Sequence, residues 1–204
     1  GTRPLGNFIG IFSYGAPGNQ IGGSQPGEGN FVSANGFGIY IAQETASGNV
    51  VQGNFIGTDV PGSLHLGNSG GVLIDLGASD NLIGGPTAGA ANTIAFNSAY
   101  GVSVGTPETG ESVGNTIARN AIYDNSMGID LAGNGVSPND IGDSDTGPND
   151  LQNYPVLTST RAGATTLVRG TFNSVPSATF TLDFYANTAL DVSGNGEGER
   201  YLGS

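Results

Sequence analysis

The chain has 204 residues, of which 17 are acidic and 5 are basic, and its formal net charge is −12. This negative charge argues against electrostatic binding to nucleic acid or to an anionic membrane surface. The chain lacks cysteine, which excludes a disulfide framework and a thiol site, and no apolar run approaches the length needed for membrane insertion.

Three short apolar segments recur in a fixed order along the first two thirds of the chain. The glycine that opens one of them returns at Gly38, Gly71, Gly101 and Gly128, at steps of 33, 30 and 27 residues. A repeat of roughly 30 residues built from such units indicates a solenoid. We place this solenoid at residues 1–135.

Each segment carries apolar residues at positions i and i+2, which is strand alternation and too short for a helix. Three strands per turn stack equal positions on equal positions, with coils about 4.8 Å apart. The pattern predicts three inward-facing columns: Ile39/Ile41, Val72/Ile74, Val102/Val104 and Ile129/Leu131; then Ile21, Val51, Ile83 and Ile117; then Val32, Ile56, Ile94 and Ile122.

Asparagines recur at the boundaries between these segments. We expect them at the corners of the coils, where Asn tolerates left-handed backbone conformations, and we expect their amides to bond from coil to coil as ladders. This structural role outweighs a functional one. The three series are Asn19, Asn49, Asn81 and Asn115; Asn30, Asn54, Asn92 and Asn120; and Asn35, Asn68, Asn97 and Asn125.

An acidic junction follows at residues 136–153. Several oxygen ligands close together, with a glycine that permits a tight turn, suit a hard cation such as Ca²⁺, although the bidentate glutamate of an EF-hand is missing. The alternative is a solvated acidic linker. The predicted metal ligands are Asp140, Asp143, Asp145, Asn149 and Asp150.

Residues 154–204 contain four alternating segments separated by turn signals, at 154–159, 165–172, 178–186 and 200–203. They predict a partial antiparallel β-sandwich, Ig-like in kind, with fewer strands than a complete sandwich has. A second acidic group, Asp191, Glu197 and Glu199, is interpreted as a polar hairpin loop.

The chain resembles the right-handed parallel β-helix repeat proteins of large bacterial surface and secreted polypeptides. The resemblance rests on 54–59 (NFIGTD), 66–68 (LGN), 81–85 (NLIGG), 142–149 (GDSDTGPN) and 152–157 (QNYPVL). It implies an all-β chain, a right-handed parallel β-helix followed by the partial sandwich. Because such repeats occur in polysaccharide-acting enzymes and in non-catalytic surface proteins alike, it implies no single activity.

No catalytic residue is assigned, and the balance is against an enzyme. β-Helix lyases use a basic residue beside calcium-binding acids, for which the chain offers Arg119 and Arg3; a surface arginine paired with Asp124 or Asp130 is the plainer interpretation. Glycosidases need two carboxylates about 5 to 9.5 Å apart. The available acids, which do not cluster in sequence, are Asp59, Asp75, Asp80 and Asp130.

The aromatic residues allow two interpretations: they form an outward strip on which sugar rings stack, or they fill corners of the core. His65 is interpreted as a loop residue. An outward line of aromatic rings flanked by a carboxylate pair on one sheet would favour an interaction with polysaccharide, whereas a smooth polar exterior with open ends would favour assembly. The aromatic residues concerned are Phe12, Tyr14, Phe37, Tyr40, Phe96, Tyr100 and Tyr123.

From these features we expect a non-catalytic structural or adhesive protein, extracellular, secreted or on the cell surface, with a polysaccharide-binding or polysaccharide-degrading β-helix protein as the alternative. Its expected partners are further copies of itself or other surface proteins. End-to-end assembly into a filament or layer would use strand pairing at residues 6–11 or along 178–186, because an uncapped coil and an incomplete sandwich expose unpaired edges. The alternative is that both ends are boundaries within a longer polypeptide.

Overall fold

The computed structural model of the chain describes residues 5–60, 64–106, 109, 111–161, 163, 165–190 and 194–204. Arg3 and Asp191 lie outside these residues. The described chain is all-β: a parallel β-solenoid of four coils and one further strand, then two small antiparallel sheets. The predicted fold class is therefore confirmed.

Each coil contributes one strand to each of three parallel sheets, and equal positions stack. Sheet A consists of β1 (Ile9–Tyr14), β4 (Phe37–Ala42), β7 (Gly70–Asp75), β10 (Tyr100–Val104) and β13 (Ile129–Leu131). Sheet B consists of β2 (Gln20–Gly22), β5 (Val50–Gln52), β8 (Leu82–Gly84) and β11 (Thr116–Ala118). Sheet C consists of β3 (Phe31–Val32), β6 (Phe55–Ile56), β9 (Thr93–Ala95) and β12 (Ala121–Tyr123).

After the solenoid, a short 3₁₀ helix, Pro148–Leu151, leads to four strands that pair two by two. The antiparallel pairs are β14 (Val156–Arg161) with β15 (Leu167–Thr171), and β16 (Phe184–Ala186) with β17 (Arg200–Gly203). All four predicted segments contain a strand, although β16 covers only the end of its segment. In the described part of the chain these strands form two separate sheets.

The predicted inward columns match the observed register. Val51 pairs with Ile21 on one side and Ile83 on the other, and all three side chains are buried. Burying each such side chain contributes about 1.5 to 3 kcal/mol. Ile129 holds its predicted place opposite Val102 but is 43% exposed, because β13 is the last strand of sheet A.

The asparagine ladders are present as predicted. Asn49 donates from Nδ2 to Oδ1 of Asn81 at 2.9 Å, and Asn81 donates in the same way to Asn115 at 2.9 Å. The backbone N–H of each of these two residues donates to the same acceptor. We call the series through Asn81 ladder one, the series through Asn92 ladder two and the series through Asn97 ladder three. Most of their side chains are buried, so these bonds satisfy polar groups that water does not reach.

The left-handed residue at the corners is not the asparagine itself, which corrects the sequence-based expectation. In ladder one it is the residue before each asparagine, with φ between 55° and 69°: Gly18, Gly48, Asp80 and Gly114. The physical reason is that each asparagine has to keep its N–H and amide aligned with the next rung. The sharp bend therefore falls on the preceding residue.

The glycines that open the sheet A segments permit a close approach of backbone and core. A Cβ on Gly38 would lie 2.6 Å from the carbonyl oxygen of Gly71 and 3.0 Å from both Nδ2 of Asn68 and Cγ2 of Ile56. Any side chain at this point would push the coils apart. The spacing of these glycines, by which the repeat is recognised, thus has a steric cause.

Two residues from beyond the solenoid end two of the ladders. Oδ1 of Asn149 accepts the N–H of Asn115 at 2.9 Å, as the next rung of ladder one would. The Glu197 carboxylate accepts the N–H of Asn125 at 3.0 Å and its Nδ2 at 2.8 Å, at the end of ladder three. The Ile122 N–H donates to the carbonyl of Gly198 at 3.0 Å. The segment between β16 and β17 therefore caps the last coil.

Candidate functional site

The outer surface of sheet A carries a continuous run of aromatic rings, which we call the aromatic face. Ile39 and Ile41 point into the core, so Tyr40 between them points outward. Neighbouring ring centroids along the run lie 5.2 to 5.6 Å apart. The residues of the aromatic face, in order along the surface, are Phe8, Phe37, Tyr40, Phe12 and Tyr14.

Three of the five rings of the aromatic face are solvent-exposed, whereas Phe37 and Tyr40 are half-buried. Phe8 is 77% exposed, Phe12 50% and Tyr14 57%, and all three belong to the first coil. On later coils the same surface is buried, including Leu73 and Ser103. The rings are held by a parallel sheet, so the spacing between them is fixed by the strand spacing.

Beside the aromatic face lies a buried carboxylate. Asp75 accepts a hydrogen bond from the Tyr40 hydroxyl at 3.3 Å and a second from the Thr109 hydroxyl. Burial, followed by the negative charge of Asp75, raises the pKa of Tyr40. Burial and the same charge also raise the pKa of Tyr100. Both phenols therefore stay protonated at neutral pH and can act as hydrogen-bond donors.

The four acids considered as the carboxylate pair of a glycosidase do not lie opposite one another. Asp130 pairs in register with Ser103, and Ser103 with Leu73, so Asp130 and Asp75 lie two strands apart, about 10 Å along the solenoid axis. Asp130 is buried, and burial raises its pKa. Asp59 accepts the Leu64 N–H at 2.8 Å, and Asp80 occupies a left-handed corner.

A groove of about 1050 Å³ lies at the corner that precedes the sheet A strands, and we call it the corner groove. It separates this corner of the solenoid from the segment that joins β16 and β17. His65 stacks on Phe96 with centroids 3.9 Å apart, and Phe96 meets Tyr123 edge to face at 5.7 Å. His65, interpreted from sequence as a loop residue, thus belongs to an aromatic shelf that its position alone did not reveal.

The corner groove is acidic. Asp124, Glu197 and Glu199 line it. Burial raises the pKa of Tyr123, and the charges of Asp124 and Glu199 raise it further, as expected where these carboxylates converge on one ring. Glu199 also accepts the Thr188 N–H at 2.7 Å, which keeps this carboxylate in place. Glu197 and Glu199 lie in the connection between two antiparallel strands, as predicted for this acidic group.

Three of the five predicted metal ligands come together at the junction. One carboxylate oxygen from each of Asp140, Asp143 and Asp145 lies within 4.8 Å of the others. Oδ1 of Asp140 and Oδ1 of Asp145 are shielded from solvent and have no hydrogen-bond partner among the described residues. Such oxygens fit the donor set of a hard cation.

The pKa values of these carboxyls move in opposite directions. Hydrogen bonds from Ser144 lower the pKa of Asp140, whereas desolvation and the charges of Asp140 and Asp143 raise the pKa of Asp145. The remaining two predicted ligands lie elsewhere: Asn149 is bonded to Asn115, and Asp150 is an exposed residue of the 3₁₀ helix.

Arg119 connects the last coil to the C-terminal strands. Its guanidinium lies 5.0 Å from the ring centroid of Tyr201 and donates to the Ser204 hydroxyl at 3.1 Å, and its Nε lies 4.0 Å from the Asp183 carboxylate. The charged partner is therefore Asp183, not Asp124 or Asp130 as the sequence suggested. The sequence distance between Arg119 and Asp183 explains why that pairing was missed.

No protein-family model matches the chain, and no curated protein or solved structure shows significant similarity to it. Within the described residues, no helix has the length and apolar character needed to cross a bilayer. The fold is thus established by the structure, while the relation to bacterial surface polypeptides rests on resemblance alone.

Proposed function

We propose that this chain is a non-catalytic adhesive or structural protein of the cell exterior that holds a polysaccharide on the aromatic face. The observation that carries the proposal is the run of five outward rings on a rigid sheet. Aromatic rings offer flat apolar surface to the apolar faces of sugars, and the tyrosine hydroxyls add hydrogen bonds at the edge. Exposed aromatic surface of this extent is a marker of an interaction site.

The resemblance to bacterial surface and secreted polypeptides supports an extracellular location. The charge of −12 disfavours an anionic polysaccharide, because bringing further negative charge to the surface costs free energy. The proposed ligand is therefore a neutral or cationic glycan. Calcium at Asp140, Asp143 and Asp145 is proposed as a stabiliser of the junction, separate from glycan binding.

The test is affinity gel electrophoresis in gels that contain a neutral, a cationic or an anionic polysaccharide. We expect retardation in neutral or cationic gels and none in anionic gels. The double variant Phe12→Ala/Tyr14→Ala should lose the retardation, because it removes two exposed rings without opening the core.

Phe31→Ala is the matched control, because Phe31 is also exposed but stacks on Phe55 on the outside of sheet C. It should be retarded like the original protein. Unchanged migration of the original protein in every neutral and cationic gel, or equal losses in the double variant and the control, would refute glycan binding by the aromatic face.

A further inference from the structure

The corner groove and the aromatic face adjoin each other. Asn35, which lines the groove, is two residues before Phe37, which begins β4 and belongs to the aromatic face. A long ligand lying across the aromatic face therefore reaches the groove at the edge of sheet A. The role of the groove thus rests on the proposed function, because the same glycan would contact both surfaces.

The chemistry of the groove is an aromatic shelf facing carboxylates. Phe96, which carries His65 on its ring, has φ of 62°, a left-handed conformation that is costly for a bulky side chain. The equivalent corner position, directly before a ladder three asparagine, is Ala34 in one coil and Asp124 in another. In the Phe96 coil this position holds a half-buried ring against the groove.

The charge of the groove selects its ligand. Asp124, Glu197 and Glu199 give it three carboxylates, and the described lining residues include no lysine or arginine. Glu197 is already engaged with Asn125, whereas Asp124 is exposed. Ammonium groups form charge-assisted hydrogen bonds with such carboxylates and are attracted to the faces of aromatic rings.

We infer that the corner groove binds a saccharide that carries protonated amino groups. The aromatic shelf takes the apolar face of a sugar ring, Asp124 and Glu199 take the ammonium groups, and the overall charge of −12 draws the cationic chain toward the protein. The aromatic face accepts sugar rings of either kind, so selectivity for the amino form arises in the groove.

The test is isothermal titration calorimetry with two oligosaccharides of the same backbone, the glucosamine hexamer and the N-acetylglucosamine hexamer, in mildly acidic buffer. The original protein should bind the cationic hexamer about tenfold more tightly. Asp124→Asn/Glu199→Gln should abolish this preference. The control Glu44→Gln/Glu111→Gln changes the net charge equally at exposed sites outside the groove and should keep it.

Equal affinity for the two hexamers, or loss of the preference in the control as well, overturns the inference. Hexalysine binding as tightly as the glucosamine hexamer also overturns it, because charge alone would then suffice. The outcomes separate the two surfaces. If Phe12→Ala/Tyr14→Ala binds like the original protein while the groove variant does not, glycan binding by the aromatic face is refuted and binding by the corner groove is supported. The converse result supports the aromatic face and refutes the groove.

Discussion

At the scale of single residues, the ladder asparagines combine several bonds in a buried amide. Asn92 donates to Oδ1 of Asn120 at 2.8 Å and to the carbonyl of Val51 at 2.8 Å, while its own Oδ1 accepts the N–H and Nδ2 of Asn54 at 3.0 Å each. One residue therefore connects three coils. Substitution leaves several groups unpaired at once, which costs more than the net value of one hydrogen bond.

We predict that Asn81→Ala and Asn92→Ala each lower the free energy of unfolding by about 1 to 3 kcal/mol, measured by urea denaturation. Asn7→Ala should cost less, because Asn7 is exposed and only its backbone N–H donates to the ladder, to Asn35 at 3.0 Å. Equal small losses at all three positions would mean that the ladders contribute little to stability.

Among the elements, the connection between β16 and β17 accepts the hydrogen bonds that a further coil would accept. The Glu197 carboxylate accepts hydrogen bonds from the backbone N–H and from Nδ2 of Asn125. In the same way, Oδ1 of Asn125 accepts bonds from the N–H and Nδ2 of Asn97, at 3.1 and 2.9 Å. The backbone of Gly198 accepts a bond from β12 in the same region. The cap thus continues the bonding pattern of the solenoid with a different side chain.

Replacing Glu197 with alanine should lower the free energy of unfolding by about 1 to 3 kcal/mol, because the N–H and amide of Asn125 lose their acceptor. Glu197→Gln keeps an acceptor oxygen and should lose less. Hydrogen exchange at the Asn125 amide gives a local measure, and it should accelerate in the alanine variant. The exposed site Glu111→Ala is the control; exchange at Asn125 that is the same in all variants would rule out the cap.

The acidic junction is a second element with a testable property. Carboxylates held close together repel one another until a cation neutralises them. Calcium should therefore raise Tm, by about 2 to 4 °C for each kcal/mol that its binding adds to the free energy of unfolding. Asp145→Asn should abolish the rise, whereas Asp150→Asn should not, since Asp150 lies outside the cluster. Identical calorimetric melts in calcium and in chelator would dismiss the site.

At the scale of the whole molecule, the two ends of the solenoid differ. β1 is an edge strand of sheet A next to the exposed ring of Phe8, whereas at the other end β12 is bonded to the connection between β16 and β17. Stacking of one solenoid directly on the capped end would displace that connection. End-to-end assembly stays a prediction: β1 would pair with an edge of the C-terminal strands of another copy, such as β16, rather than with the capped coil.

We therefore expect concentration-dependent association in light scattering and rods in electron microscopy. Phe8→Lys should suppress both, because a charge beside an edge strand opposes pairing with another chain. Leu64→Lys places the same charge on an exposed site between β6 and β7, away from the edge strands of the first coil, and should leave assembly intact. A monomer at every concentration, with or without the substitution, would argue against a filament.

Local features of the sequence are sufficient to predict the architecture of the repeat region. Apolar residues at alternate positions, glycines at a recurring spacing and asparagines at the boundaries are local features that each coil repeats. Because equal positions of successive coils stack on one another, a correct assignment of the strands in one coil predicts the register of the next. This is why the columns through Val51 and the ladder through Asn81 were predictable to the residue.

Which surfaces are joined depends on the path of the chain, and it is visible only in the folded molecule. The caps bring Glu197 to Asn125 and Asn149 to Asn115, and the corner groove brings His65, Phe96 and Glu199 to one place. None of these contacts follows a period, because the residues come from an insertion loop, a corner and a segment beyond the solenoid. Contacts between such irregular segments depend on how the chain folds back on itself, and a repeat pattern carries no information about that path.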